Sequence, residues 1–163
     1  MATKRTSIFG GLVPDTSGNV WFEPAAITQT NDRYQQMVLR FKDTATKISA
    51  GFRFAVPDDY AAGGVFEVIW TTTATSGNAV WNADYSSAAK TASLDPSADE
   101  ESVNVTTAAP GTSQTGVASR MTPTVTNFAA NDVCQGNISR NGAGSDTIAA
   151  DLCVYDVIFE YTT

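Results

Sequence analysis

Seventeen carboxylates, ten Lys/Arg, two cysteines and no histidine are the groups from which this chain could build chemistry. Histidine is the usual proton shuttle near neutral pH and the commonest metal ligand. Its absence removes Ser-His-Asp and Cys-His hydrolases, His-ligated zinc and haem. The densest acidic stretch is Asp95-Pro-Ser-Ala-Asp99-Glu100-Glu101. Calcium takes six to eight oxygen ligands of this kind, but the spacing fits no EF-hand loop and the turn glycine is missing. A solvated acidic loop is the favoured reading. Asp58 and Asp59 are neighbours in a Pro-led turn and point apart in extended backbone, so they read as turn residues and not as a glycosidase pair. No spacing joins them to Asp84 or Glu67.

Trp21, Trp70 and Trp81, with Tyr34, Tyr60, Tyr85, Tyr155 and Tyr161, could include a sugar-stacking platform, but a β core consumes the same large rings. Alternation places Trp70, Trp81 and Tyr85 on one inward face, which favours core. Asn104-Val-Thr and Asn137-Ile-Ser match the glycosylation tripeptide. The segment Met1 to Pro14 holds no apolar run of signal-core length, so the reading is a soluble cytoplasmic product, with the tripeptides coincidental. There is no membrane-length apolar stretch. In such a compartment Cys134 and Cys153 are expected as reduced, buried small hydrophobes. A simple hairpin would set them far apart; strands in different sheets would leave a bridge possible. The reading assigns no catalytic, cofactor-binding or metal-ligating residue.

The elements that would position any site read as strands. Leu occurs only at 12, 39, 94 and 152, while Thr, Val and Ala abound, a composition that suits half-buried strands better than helices. Met37, Leu39 and Phe41 alternate with Val38, Arg40 and Lys42. Ile48, Ala50, Phe52 and Phe54 alternate with Lys47, Ser49 and Arg53. Phe66, Val68 and Trp70 form a third stripe, and Trp81, Ala83 and Tyr85 a fourth. The short Thr75-Ser-Gly-Asn78 connection between the last two predicts a hairpin, with Trp70 and Trp81 nearly opposite each other. Further runs cover 19–22, 102–107, 117–128, 133–139 and 152–161, and Pro123 marks the 117–128 stretch as an edge or bulge. About nine strands without a helix-period segment predict an all-β, antiparallel two-sheet sandwich, jelly-roll-like, with an extended N-terminal arm. Residues 1–18 are expected as that arm and 19–163 as the sandwich domain. Core candidates are Phe52, Phe54, Phe66, Val68, Trp70, Trp81, Val157 and Phe159.

The 163 residues amount to one domain, with 42% hydrophobic and 17% charged residues and a net charge of -7. That charge argues against a nucleic-acid surface, which needs clustered Lys/Arg. Residues 1–60 hold seven Lys/Arg and six Asp/Glu, whereas 61–163 hold three and eleven. The less acidic N-terminal third would suit docking.

Val68-Ile-Trp-Thr-Thr-Thr-Ala-Thr-Ser-Gly-Asn-Ala-Val-Trp-Asn-Ala-Asp-Tyr85, Glu101-Ser-Val-Asn-Val, Ala108-Ala-Pro-Gly-Thr, Ile138-Ser-Arg-Asn-Gly, Asp146-Thr-Ile-Ala-Ala and Phe159-Glu-Tyr resemble small jelly-roll β-sandwich virion proteins of tailed bacteriophages. The likeness is one of texture and turn positions over residues 19–161. It implies a non-enzymatic structural protein of the virion, a capsid decoration (cement) protein at the phage head surface. The implied partners are the major capsid protein and further copies of the chain, as a trimer, with no nucleic acid, membrane or cofactor. The alternative is a tail or fibre appendage, or a carbohydrate-binding module for host recognition.

Overall fold

Alternation of apolar and polar residues sets the strands, and the need to bury one face of each sets the layers. The computed structural model describes residues 1–24, 36–92, 101–124 and 128–163. Its elements in chain order are β1 (Thr3–Ser7), a 3-10 turn (Phe9–Gly11), β2 (Val13–Pro14), β3 (Val20–Pro24), β4 (Met37–Phe41) and β5 (Lys47–Ala55). There follow β6 (Ala62–Thr72), β7 (Asn78–Ala88), β8 (Glu101–Ala108), β9 (Val117–Met121), β10 (Val133–Asn141) and β11 (Leu152–Thr162). Among the described residues no helix is long and apolar enough to cross a membrane.

All pairings are antiparallel, in two sheets: β3-β4-β11-β6-β9, with β1 also on β11, and β2-β5-β10-β7-β8. This is the jelly-roll β-sandwich expected from the sequence. The interior is aromatic. Phe41 meets Trp81 edge-on at 5.1 Å between ring centroids, and Phe66 lies 5.4 Å from Phe52 and 5.6 Å from Phe159. Such pairs add about 0.5–1.5 kcal/mol each beyond the area they bury. All the core candidates are buried except Phe54, which is partly buried and packs against the core.

Pairing departs from expectation in two places. β6 and β7 do not form a hairpin; they lie in opposite sheets, and Trp70 meets Trp81 across the sandwich at 6.2 Å. The connection turns through Gly77 at φ +98°, where an added Cβ would stand 2.7 Å from the Thr147 carbonyl oxygen. Only glycine takes that backbone at so close an approach. β10 and β11 likewise divide between the sheets, and Cys134 and Cys153 are both free and buried. The run expected over 117–128 is a strand only to Met121, at the edge of its sheet and short of Pro123, while Phe128 enters the core.

The segment expected as an arm lies along the sandwich. β1 pairs with β11, Ile8 and Leu12 enter the core, and β2 pairs with β5, so residues 3–14 cross from one sheet to the other.

One charged side chain is enclosed with the apolar ones. Arg140, fully buried on β10, donates from Nε and Nη2 to Asp146 at 3.0 Å each and to the carbonyls of Ala150 (2.8 Å) and Ile148 (2.6 Å). Removing one partner of a buried ion pair strands the other. Arg140→Ala is expected to lower unfolding stability by roughly 3–5 kcal/mol. Urea denaturation checks this, and a loss below 1 kcal/mol would contradict the assigned role.

Candidate functional site

In a strand successive side chains face opposite ways, so each sheet of the sandwich also has an outer face. On the five-stranded sheet the cross-strand registers align polar residues into rows. One runs Ser49, Ser139, Asn82, Asn104 and a second Gly51, Asn137, Asp84, Ser102; a third joins Arg53, Gln135 and Ser86. With strands about 4.8 Å apart, a four-strand row spans roughly 14 Å, and successive rows lie about 7 Å apart.

An open groove of about 740 Å³ lies on this face, lined by the polar residues Asp84, Ser86, Glu101, Ser102, Gln135 and Asn137 and by the rings of Phe52 and Tyr85. Its floor is set by Gly136, which pairs with Phe52 on one side and Tyr85 on the other. A Cβ there would lie 2.1 Å from the Asp84 carbonyl oxygen and 2.9 Å from the Phe52 ring. Asp84 accepts from Lys47 Nζ at 2.5 Å and Ser102 Oγ at 2.6 Å, and Ser49 and Ser139 hydroxyls lie 2.9 Å apart. Asn82 is 8% exposed, and its Oδ1 has no donor among the described residues. None of the described side chains facing outward from these strands is aromatic. The surface offers amide, hydroxyl and carboxylate groups for hydrogen bonding, with Lys47 paired to Asp84 and Arg53 in the third row.

Glu101, at the rim, accepts from the Tyr85 hydroxyl and from Thr124. Burial, then the bond to Glu101, pushes the Tyr85 phenol well above its ordinary range. Among the described residues no three His, Cys, Asp or Glu gather as a metal site. Residues 95–100 of the acidic stretch lie outside the described residues, as does Tyr34. Asp59 bonds Lys4 and the Tyr161 hydroxyl, and Asp84 and Glu67 belong to different sheets.

Trp21 stands on the other sheet. Its Nε1 donates to Glu23 at 2.7 Å, and the Arg40 guanidinium sits 5.9 Å from its ring centre. Arg40 itself bonds Glu23 and, at 3.2 Å, Asp151. The ring that could have stacked on sugar is engaged by a cation. Asn104 and Asn137, singled out as tripeptide asparagines, are exposed in the polar rows.

The outer face of the six-stranded sheet is closed on itself by ions. Arg120 reaches Glu160 at 2.5 Å and Glu67 at 3.0 Å, and Arg5 reaches Glu160 at 2.8 Å. The bond from Arg120, then that from Arg5, holds the Glu160 carboxyl below its ordinary range against the effect of burial. A carboxyl held low in the folded state takes up its proton more readily when unfolded. Its contribution to stability is full above the ordinary glutamate range and lost as pH falls through the lowered value. The melting temperature is therefore expected to fall in acid, and less steeply for Glu160→Gln; equal slopes in a pH series would contradict this.

The chain matches no known protein family and no curated relative. Solved structures share its fold. A xylan-binding module, CBM15, aligns over 99% of this chain and 99% of its own with 13% identity and a TM-score of 0.50. A non-crystalline-cellulose-specific carbohydrate-binding module, CBM28, aligns over 93% of this chain and 89% of its own with 11% identity and a TM-score of 0.50. An arabinose-bound GH51 α-L-arabinofuranosidase aligns over 97% of this chain, which spans only 25% of that enzyme, with 10% identity and a TM-score of 0.52. At these identities the shared property is the jelly-roll sandwich, and no residue role is carried across.

Burial pushes both thiols up, Cys134 the more enclosed. A protonated, enclosed thiol is a poor nucleophile. Neither cysteine should react with Ellman's reagent until denaturant is added; rapid titration of one thiol in the native protein would overturn that assignment.

Proposed function

We propose that this chain is a non-catalytic binding module that holds an extended, uncharged glycan across the strands of its five-stranded sheet. The observation that carries the reading is the set of three parallel rows of amide, hydroxyl and carboxylate groups around the groove. A polyhydroxylated chain is the ligand whose donors and acceptors match such a surface along its whole length. The pairing of Lys47 with Asp84 leaves the rows mainly neutral, which favours a neutral ligand over a charged one. Similar sandwiches described as xylan- and cellulose-binding modules support the class of ligand without choosing the sugar. No aromatic side chain projects outward from the described strands of this face, so the polar rows supply the hydrogen bonds, while the Phe52 and Tyr85 rings line the groove floor.

Titration calorimetry against soluble xylan, mannan, galactan and mixed-linkage glucan tests this. One of them is expected to bind saturably. Asn137→Ala and Asn104→Ala should each weaken binding about five- to tenfold, the loss of roughly one hydrogen bond. Trp21→Ala, on the other sheet, should leave it unchanged. Flat isotherms across the panel would sink the proposal, and loss of binding in the Trp21 variant would move the site.

A second reading keeps the resemblance to phage virion proteins: a decoration protein on the head surface, binding the major capsid protein and further copies of itself as a trimer, without nucleic acid or membrane. The strand of residues 3–7, exposed along its whole length, favours it as a point of assembly. Quantifying the chain in purified particles separates the two settings. A ratio near one to one with the capsid protein supports decoration, and a few dozen copies or fewer would place a glycan-binding module at the tail.

A further inference from the structure

β1 is bound unlike the other long strands. All five of its residues are exposed, so none contributes a side chain to the core. It pairs only with β11, in register from Thr3↔Thr162 to Ser7↔Ile158. β4 covers the same edge of β11 only at Leu152–Val154, so the edge from Ile158 to Thr162 is a slot that β1 alone fills among the described residues. Besides the ladder, the strand is held by Lys4 to Asp59, Arg5 to Glu160 at 2.8 Å and Ser7 to Asp156 at 2.6 Å. After one buried residue, Ile8, comes the Phe9–Gly11 turn, where Gly10 has nothing within 4 Å of the place a Cβ would take. Leu12 and β2 then anchor the chain on the other sheet.

From these features we infer that β1 is exchanged between copies: residues 1–8 of one chain swing about Gly10–Gly11 and fill the β11 slot of a second copy. The occupant is set by charge and register. The strand carries Lys4 and Arg5, the slot is ringed by Asp59, Asp156 and Glu160, and the chain as a whole is at -7. Complementary charge of this kind directs the basic strand of one acidic copy to the slot of another. Each contact made within one chain is remade between chains, so exchange forfeits only what the hinge must change, the usual basis of domain swapping. Closure can run reciprocally in a pair or around a ring. The inference rests on neither reading of function given above.

A cysteine pair at Thr3 and Thr162 reads it directly. These residues face each other one place in from the mutual Ala2 and Thr163 backbone bonds, a non-hydrogen-bonded position where Cα atoms come within disulfide reach. The native cysteines are buried and do not compete. Full-length T3C and T162C chains, differently tagged, are mixed, incubated for days at high concentration and oxidised. A disulfide-linked heterodimer of twice the 17.2 kDa chain mass is expected. Its yield should be several-fold above T3C mixed with T106C, whose cysteine lies on the opposite sheet, and should rise with concentration. The T3C/T162C double variant should likewise give linked dimers or rings. A mixture no more cross-linked than the T106C control, with the double variant closing wholly within single chains, would overturn the exchange.

Discussion

The guanidinium of Arg140 is the point on which the two sheets agree. It projects inward from β10, in register with Trp81 on β7, and reaches the far sheet through the carbonyl of Lys42 just past β4. Its other bonds go to Asp146, Ile148 and Ala150 in the connection that delivers the chain to β11. A charge in an apolar interior is tolerable only when its donors are matched, and here the partners come from two separate stretches of chain, residues 42–43 and 146–150. Asp146 also accepts from the backbone N–H groups of Ile148 and Val80, so the same carboxylate orders the loop and holds the start of β7. The guanidinium thus fixes where β11 begins, and β11 is the strand that pairs with β1, β4 and β6.

With that end of the sandwich set, the packing of the core determines the shape of the polar face. Gly136 lets β10 close on β7 and leaves the Phe52 and Tyr85 rings beneath the groove without an intervening side chain. The groove floor is therefore the roof of the aromatic core, and a substitution that shifts Phe66 or Phe52 would be felt above it. Close-packed interiors pass strain in this way. Two hydrogen bonds of the face, Ser102 to Asp84 and that between Ser49 and Ser139, lie within single rows, and Asn82 Oδ1 has no donor among the described residues. A buried acceptor without a donor costs about 1–3 kcal/mol, a penalty more readily understood at a binding surface than in a passive one.

How much of this was legible in the sequence depends on the kind of information. The facing of residues along β5 and β6 was legible, because Ile48, Ala50, Phe52 and then Phe66, Val68, Trp70 alternate cleanly. Which sheet each strand joins was not. β4, β5, β6 and β7 alternate between the sheets, and so do β8 to β11, with the β7–β8 pair keeping to one. Period-two patterning reports that a face is buried, and it is the same for a hairpin and for two strands facing each other across a core. Hence Trp70 and Trp81 were rightly placed near each other on the wrong geometry. Arg140 was missed although its signal was present: it continues the inward series Cys134, Gly136, Ile138, with an acid six residues on.

The candidate site was less legible than the fold for a related reason. Asn82 and Asp84 were placed opposite the apolar face of β7, and Asn104 and Asn137 drew notice only as parts of tripeptides. Their joint meaning exists only after β5, β10, β7 and β8 are set side by side, since a row across a sheet draws one residue from each of four distant segments. Aromatic residues attract attention first, and they mislead here, because most of the described large rings are spent on the core and Trp21 is engaged by Arg40, with Phe22 exposed on the other sheet. The contrast between the outer faces is the stronger guide. On the six-stranded sheet, Arg5, Arg120, Glu67 and Glu160 form an ion-pair network in which only Glu67 Oε2 has no hydrogen-bond donor among the described residues, so binding there would have to displace strong charge-assisted bonds. On the five-stranded sheet the groups are mainly neutral, presented in parallel and served in part by solvent. Under the proposed reading a ligand that carries hydroxyls would meet the groove face and not the ionic one, because there its hydroxyls replace water instead of displacing ion pairs.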